Sequence, residues 1–423
     1  MRYTRWAALA VIAILFAAGC GGDGGGGAGK AGTLIDDFAY GAASGASVYA
    51  VGYTEGSLNG QPHSGFADIA IVKFNSSKGR EWTRQQGTST PDKAYAAATD
   101  ASGNVYAAGS TYGGLDGNIN QGFDDAVLVK YSPEGVKLWS QQIGTSENDY
   151  AYGAATDTEG NAYITGHTEG GIDGNAYSGD SDMFLVKYDS SGARLWSAQL
   201  GSPAYDDGRA AATDASGNVY VAGFTWGYLD GGSLSGAADI FVVKYSSAGL
   251  KLWSRQFGSG AIDIAQSIAV DSAGNVYVSG HTEGNLDGIP NAGKADAFII
   301  KYDSSGARLW SRLLGTAAED MARGVAIDAS GNVYVAGYTF GGLDGNTNAG
   351  AADVFLSRFA SDGSKLWTAQ IGSAGYDFCY AVAVDGEGFI FPVGATNGDL
   401  DGKANEGLFD IFILKYDSNK LKL

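Results

Sequence analysis

The chain has 423 residues, of which 67 are Gly, 24 Tyr and 18 Phe against only 6 Pro, a composition of many short strands joined by tight turns rather than of helices. With 44 % apolar and 17 % charged residues it can bury a large core, which excludes the disordered class. A formal net charge of −19 argues against nucleic acid and anionic lipid surfaces as electrostatic partners and favours a cationic ligand, a metal ion or a neutral glycan.

The first twenty residues read MRYTRWAALAVIAILFAAGC: two arginines, an apolar run from Trp6 to Ala18, then small residues before a cysteine. The run is too short to span a bilayer comfortably and has the layout of a secretory leader. Ala17-Ala18-Gly19-Cys20 resembles the bacterial lipobox, with Ala where that motif usually has Leu, and the resemblance implies cleavage before Cys20 and lipidation of its thiol. Residues 1–19 are therefore assigned to a lipoprotein signal peptide and residues 20–32 to the anchor cysteine and a Gly-rich tether, a flexible coil able to hold a folded body off a membrane. Gly21 stands where an Asp would retain a lipoprotein in the inner membrane, which favours the outer membrane or cell surface. Cys379 has no partner other than Cys20, so a disulfide framework is excluded and Cys379 is placed in a core strand.

Residues 33–423 are one repeated unit. Asp-x-x-Gly-Asn-x-Tyr begins at Asp100, Asp157, Asp214, Asp271 and Asp328, a spacing of 57, with a degenerate copy at Asp385 and an N-terminal copy at SGASVYAVGYT. Each unit holds four short runs rich in β-branched and aromatic residues, in the sixth MARGVAID, NVYVAGYT, DVFLSRF and KLWTAQIG, separated by compact Gly-bearing turns. Seven units of four antiparallel strands predict an all-β, seven-bladed β-propeller whose blades bury both faces. The pattern D-x-F-[LVI]-x-K-Y, G-x-x-L-W, A-x-D-x-x-G-N-x-Y-V-x-G-x-T resembles the seven-bladed β-propeller repeat (SBBP-type) family of bacterial surface and secreted proteins. That resemblance implies fold and location but no agreed activity. KYDSSGARLW, Lys301 to Trp310, is more weakly similar to the tryptophan-docking repeats of quinoprotein dehydrogenases and of the propeller lipoprotein that assists outer-membrane barrel assembly. The quinoprotein family's adjacent cysteine pair has no counterpart here.

Recurrence assigns most polar residues to the scaffold. Trp82, Trp139, Trp196, Trp253, Trp310 and Trp367 share one register and read as plugs between blades. The Lys130 series reads as stems packed along the blade with heads paired to Asp, and the Asp100 series as turn formers. The seam between the last and first blades, lacking a Trp, is expected to be the weakest. Three further Asp series, represented by Asp92, Asp116 and Asp125, are expected on the long-loop rim. Asp116, Asn118, Asn120 and Asp125, and likewise Asp344, Asn346, Asn348 and Asp353, offer oxygens at alternating positions, as a calcium loop would, although neither set has the EF-hand Gly and closing acid. An Asp-Gly turn followed by a strand-entry Asp is the favoured reading, with Ca2+ the alternative.

The function expected from these features is a non-catalytic, lipid-anchored envelope or surface propeller. It would bind a protein or a glycan on its long-loop face and would not bind nucleic acid. The alternatives are a calcium-dependent glycan binder, with Tyr112, Trp226 and Phe340 at equivalent insert positions, and a hydrolase or lyase acting at the central channel. Near seven-fold regularity argues against the last, since catalysis needs a unit that differs chemically. His167 and His281 fall two units apart, too far to share one ion.

Overall fold

The computed structural model describes residues 30–45 and 47–423, so the leader, Cys20 and the start of the tether lie outside the described residues. The strands form seven four-stranded antiparallel sheets, one per blade, as the repeat predicts. Blade 2 is representative, with strands Asp92–Thr99, Val105–Thr111, Asp125–Tyr131 and Lys137–Ile143. Its first strand alternates buried and half-buried residues, its second and third are buried throughout, and its fourth is the exposed outer edge. The same gradient recurs in every complete blade because the first strand lines the axial channel while the middle two are sandwiched between neighbours.

The scaffold roles read from recurrence hold. Asp100 Oδ1 accepts the N–H groups of Ser102 and Asn104, both at 3.0 Å, and Oδ2 accepts the buried Tyr106 hydroxyl at 3.1 Å. Lys130 Nζ lies 3.4 Å from Asp100 Oδ2 and over the Tyr106 ring at 4.8 Å. Trp139 Nε1 donates to Ser190 O of the next blade at 3.2 Å, and the five other tryptophans reach the equivalent carbonyl of their own neighbours. Cys379 is fully buried, and burial pushes its thiol up to about 12.

Closure of the ring departs from the sequence reading. Lys30–Ala31, placed there in the tether, pairs antiparallel with Ile411 and Phe412 and supplies the outer strand of blade 7. The C-terminal residues extend that outer position downward, with Leu423 N–H donating to Lys415 O at 2.9 Å. The seam that lacks a tryptophan is further held by Phe38 stacked on Phe409 at 5.0 Å and by Lys415 Nζ donating to Ser76 O at 2.6 Å. Two residues at the end of a glycine run carry no periodicity, which is why the strand was not legible.

Candidate ligand surfaces: insert face and channel mouth

The long insert does not stand on the rim. After the second strand it runs outward and down the flank of its own blade, where Gln142 of the fourth strand clamps it. Its Oε1 accepts the Leu115 N–H at 3.1 Å, and its Nε2 donates to Gly113 O at 3.1 Å and to Asp125 Oδ2 at 2.9 Å. Leu115 is thereby buried, and the later part of the edge strand is partly covered. The turn that follows is left-handed at Asp116 (φ 55°) and Gly117 (φ 82°), the conformation that Asp-Gly tolerates best.

This course separates the three Asp series that were expected on one rim. Asp116 and its equivalents lie on the outer flank. The Asp116 carboxylate pairs with Lys137, accepts the Ser140 hydroxyl at 2.7 Å and the Gln86 amide at 2.5 Å. Although partial burial would raise it, these bonds hold its pKa below the ordinary value. Asp344 is held in the same way by Lys365 and Thr368. Asn118 and Asn346 donate to the carbonyls of Leu115 and Leu343, both at 2.7 Å. Asn120 bridges Phe123 O and Gly122 N–H, and Asn348 donates to Gly350 O at 2.8 Å. Asp125 and Asp353 accept the N–H groups of Gln121 and Ala349, both at 2.8 Å. Each of the eight candidate calcium ligands thus makes a turn or strand contact, while the buried Oδ1 atoms of Asp125 and Asp353 have no hydrogen-bond partner among the described residues. Among the described residues no group of three or more Asp, Glu, His or Cys side chains is placed to hold a metal ion.

The strand-entry aspartates are not on a surface at all. Asp92 and Asp125 with their equivalents are at most 1 % exposed. They meet in pairs across each seam: a Cβ on Gly87 would collide with Asp68 Oδ1 and lie 3.1 Å from Asp92 Oδ2, so only glycine fits there. Asp92 Oδ2 accepts the Thr88 N–H at 2.6 Å, and its Oδ1 accepts the hydroxyl of Thr111, which in turn accepts the Gly113 N–H at 3.1 Å. Desolvation raises the carboxyls of Asp92 and Asp125, and those of Asp37 and Asp149 to about 6.

The channel mouth is where the blades differ. In every first strand one residue is bulged out of the ladder: Tyr40, Tyr95, Tyr152, Arg209, Gln266, Arg323 and Tyr380. A bulge leaves its extra residue unpaired and re-aims its side chain, and all seven line one axial cavity of about 590 Å³. The bulge also brings a carbonyl against the second strand. A Cβ on Gly223 would collide with Asp207 O, which explains the invariant glycine of the V-x-G-x-T run across the repeats. Four tyrosines form a continuous arc, with ring centroids 4.6 Å apart for Tyr380 and Tyr40, 6.0 Å for Tyr40 and Tyr95, and 5.1 Å for Tyr95 and Tyr152.

Arg209 caps one end of that arc, 4.4 Å from the Tyr152 centroid, and pairs with Asp207 at 2.8 Å. Asp207 Oδ2 also lies 3.4 Å from His167 Nδ1, and the Tyr205 hydroxyl contacts both. Burial would raise the Asp207 carboxyl, but Arg209 and His167 hold it below the ordinary range. His281, at the matching position of blade 5, is instead kept neutral, its pKa pushed down to about 3 by burial and by Arg323 and Arg209. These symmetry-breaking residues were missed from sequence, apart from the two histidines. Their signal was there: in a repeat whose neighbours scarcely change, one position reads Tyr, Tyr, Tyr, Arg, Gln, Arg, Tyr.

A closed ring of seven four-stranded antiparallel blades, with inserts on its flank and a differentiated axial cavity, defines an all-β, seven-bladed β-propeller. The chain belongs to the beta-propeller repeat (SBBP) family, which matches residues 81–116, 138–173, 195–229, 252–287, 309–344 and 366–401. It is similar to the regulatory protein FlaEY of Caulobacter vibrioides, 31 % identical over 43 % of this chain and 21 % of that protein. It is also similar to an uncharacterized WD repeat-containing protein of Acanthamoeba polyphaga mimivirus, 29 % identical over 43 % of this chain and 17 % of that protein. The chain thus spans about a fifth of the length of these curated relatives. Among solved structures, the β-propeller domain of the trilobed protease from Pyrococcus furiosus is 11 % identical, with a TM-score of 0.46 over 91 % of this chain and 98 % of that one. BamB from Moraxella catarrhalis is 12 % identical, with a TM-score of 0.41 over 88 % of this chain and 85 % of that one.

Proposed function

We propose that the chain is a non-catalytic propeller of the bacterial cell envelope, lipid-anchored at Cys20, that binds another macromolecule, a protein or a glycan, through its insert-bearing face. The observation that carries this reading is the concentration of exposed aromatic and aliphatic side chains on the inserts, with Phe66 72 %, Ile119 78 %, Trp226 56 % and Tyr228 66 % exposed. Solvent-facing aromatics of this density favour association over solubility and are the usual anchors of recognition surfaces. Tyr112 and Trp226 are exposed, whereas Phe340 packs edge-on against Tyr338 at 6.0 Å, so the exposed insert aromatics belong to blades 1 to 4, and the blade 7 insert exposes the aliphatic Leu408. At the channel mouth, burial holds the phenols of Tyr152 and Tyr205 well above their ordinary value, and they stay protonated, poor nucleophiles at neutral pH.

The test measures binding of the labelled full-length chain to purified envelope glycans and to envelope proteins. Joint Trp226→Ser and Tyr228→Ser replacement is expected to weaken binding about tenfold with an unchanged melting temperature. Unaltered binding would move the recognition surface off these inserts. Sugar binding abolished by EDTA would favour the calcium-dependent glycan reading, and turnover of a hydrolase or lyase substrate would overturn the non-catalytic one. Incorporation of labelled fatty acid that is lost in Cys20→Ser tests the anchor.

A further inference from the structure

The axial cavity is separate from the insert surface and chemically unlike it. Among the described residues the cavity lining carries two guanidinium groups, Arg209 and Arg323, and no carboxylate, in a chain with 46 acidic and 27 basic residues. Arg209 is matched by Asp207. Arg323 has no ion-pair partner among the described residues. Its Nη2 donates to the Tyr338 hydroxyl at 2.9 Å, and its Nε is buried with no protein acceptor. The neighbouring His281 cannot share the positive charge, being held neutral, and its buried Nδ1 likewise has no protein partner. An unmatched guanidinium in a half-enclosed, aromatic-walled site is costly unless an anion meets it.

The opposite wall fixes what kind of anion. The tyrosine arc presents flat faces and hydroxyl tips, and Tyr338, 6.4 Å from Tyr380, links its far end to Arg323, whose guanidinium lies 5.5 Å from the Tyr338 centroid. The arc therefore runs from one guanidinium to the other, with Gln266 between them on the remaining side. A planar guanidinium fork matches a planar carboxylate bidentately. One unmatched charge suits a monoanion better than a phosphate ester, which carries about −1.5 to −2 at neutral pH. Tyrosine faces and hydroxyls suit a ring with one apolar face and several hydroxyls, and the cavity volume of about 590 Å³ lies within the range of small-molecule sites. We propose that the axial cavity binds an acidic sugar of the uronate type, its carboxylate on Arg323 and its ring against the tyrosine arc. This proposal does not depend on the insert-face reading, and either can fail without the other.

The experiment is isothermal titration of the full-length chain with galacturonate, galactose, benzoate and inorganic phosphate. Galacturonate is expected to bind saturably and at least about tenfold tighter than each of the other three. Arg323→Gln is expected to weaken galacturonate at least about tenfold, and Arg323→Lys, which keeps the charge but loses the fork, at least about fivefold. If Arg323→Gln does not fold, the Lys variant alone decides. Absence of galacturonate binding at millimolar concentration, or galactose bound equally well, would overturn the proposal. So would phosphate bound as tightly, which would mark a bare anion hole, benzoate bound as tightly, which would mark an aromatic-acid site, or galacturonate affinity unchanged in the folded Arg323 variants.

Discussion

The seam carboxylates make the chain's stability depend on pH in an unusual sense. Asp149 is fully buried, and its carboxyl is raised to about 6, mainly by desolvation, with Asp125 across the seam adding to it. An unfolded Asp titrates near 3.9, so the folded form holds its proton about two units longer, worth about 3 kcal/mol at ~1.36 kcal/mol per unit. The folded pKa lies above the unfolded one. The contribution is therefore fully present below about pH 4 and is lost as pH rises through about 6. At ~2.1 cal/mol/K per residue over roughly 390 ordered residues, that loss corresponds to about 4 °C in melting temperature, and Asp37, also raised to about 6, adds a similar amount. Asp100, Asp157 and Asp214 work in the opposite direction: their folded values lie below 3.8, so their loss falls under the window and does not mask it. The assay is calorimetric melting from pH 4.5 to 7.5 for the parent and for Asp149→Asn, which keeps an acceptor for the Thr145 N–H but cannot ionise. The parent should melt several degrees lower at pH 7.5 than at pH 4.5, and the variant should lose about 2 °C of that difference, the rest belonging to Asp37 and the other raised seam carboxyls. A flat parent profile, or an unchanged slope in the variant, would refute the argument that these pairs are held at the cost of desolvation.

Other expectations follow from the packing. Gly223→Ala forces a Cβ into Asp207 O and should cost about 1–3 kcal/mol, read by urea unfolding, together with disturbance of the Asp207 and Arg209 pair behind it. Removing residues 1–32 takes away the Lys30–Ala31 strand; on the order of 2–4 kcal/mol should be lost. The bared edge of Asp410–Ile413 should then promote concentration-dependent association, visible by size-exclusion chromatography with light scattering. Millimolar calcium against EDTA should leave the melting temperature of the parent unchanged, because Lys137 and Lys365 already neutralise the insert carboxylates; a calcium-dependent rise would show that ions displace those lysines.

Much of the scaffold could be read directly from recurrence. A residue repeated at 57-residue spacing, such as Trp139 or Asp100, has a role that every blade shares, and a shared role is almost always packing or a turn. The same logic was blind where it mattered for a ligand. It marked Asp116 and Asp125 as rim residues because both fall at the long-loop end. Whether a loop stands up or folds down is decided by Gln142 reaching across from another strand. It passed over Arg209, Gln266 and Arg323 because attention to repetition discards the positions that break it. The bulge itself had a sequence mark, the lone glycine inside an apolar strand at Gly166, Gly223 or Gly280, which becomes informative once its partner carbonyl is considered. The closing strand at Lys30–Ala31 had none.

The bulges carry an evolutionary corollary. A side chain that stands outside the hydrogen-bond ladder is released from the demands of blade packing, so Tyr, Arg and Gln occupy the position interchangeably on one backbone. Duplicating a blade thus copies a backbone together with one axial position free to vary, and changes at the seven such positions alter the lining of the cavity. In such a lineage, ligand preference can drift quickly between paralogues whose cores remain nearly identical. Overall sequence identity would then be a poor guide to the chemistry of each channel, and those seven letters a better one.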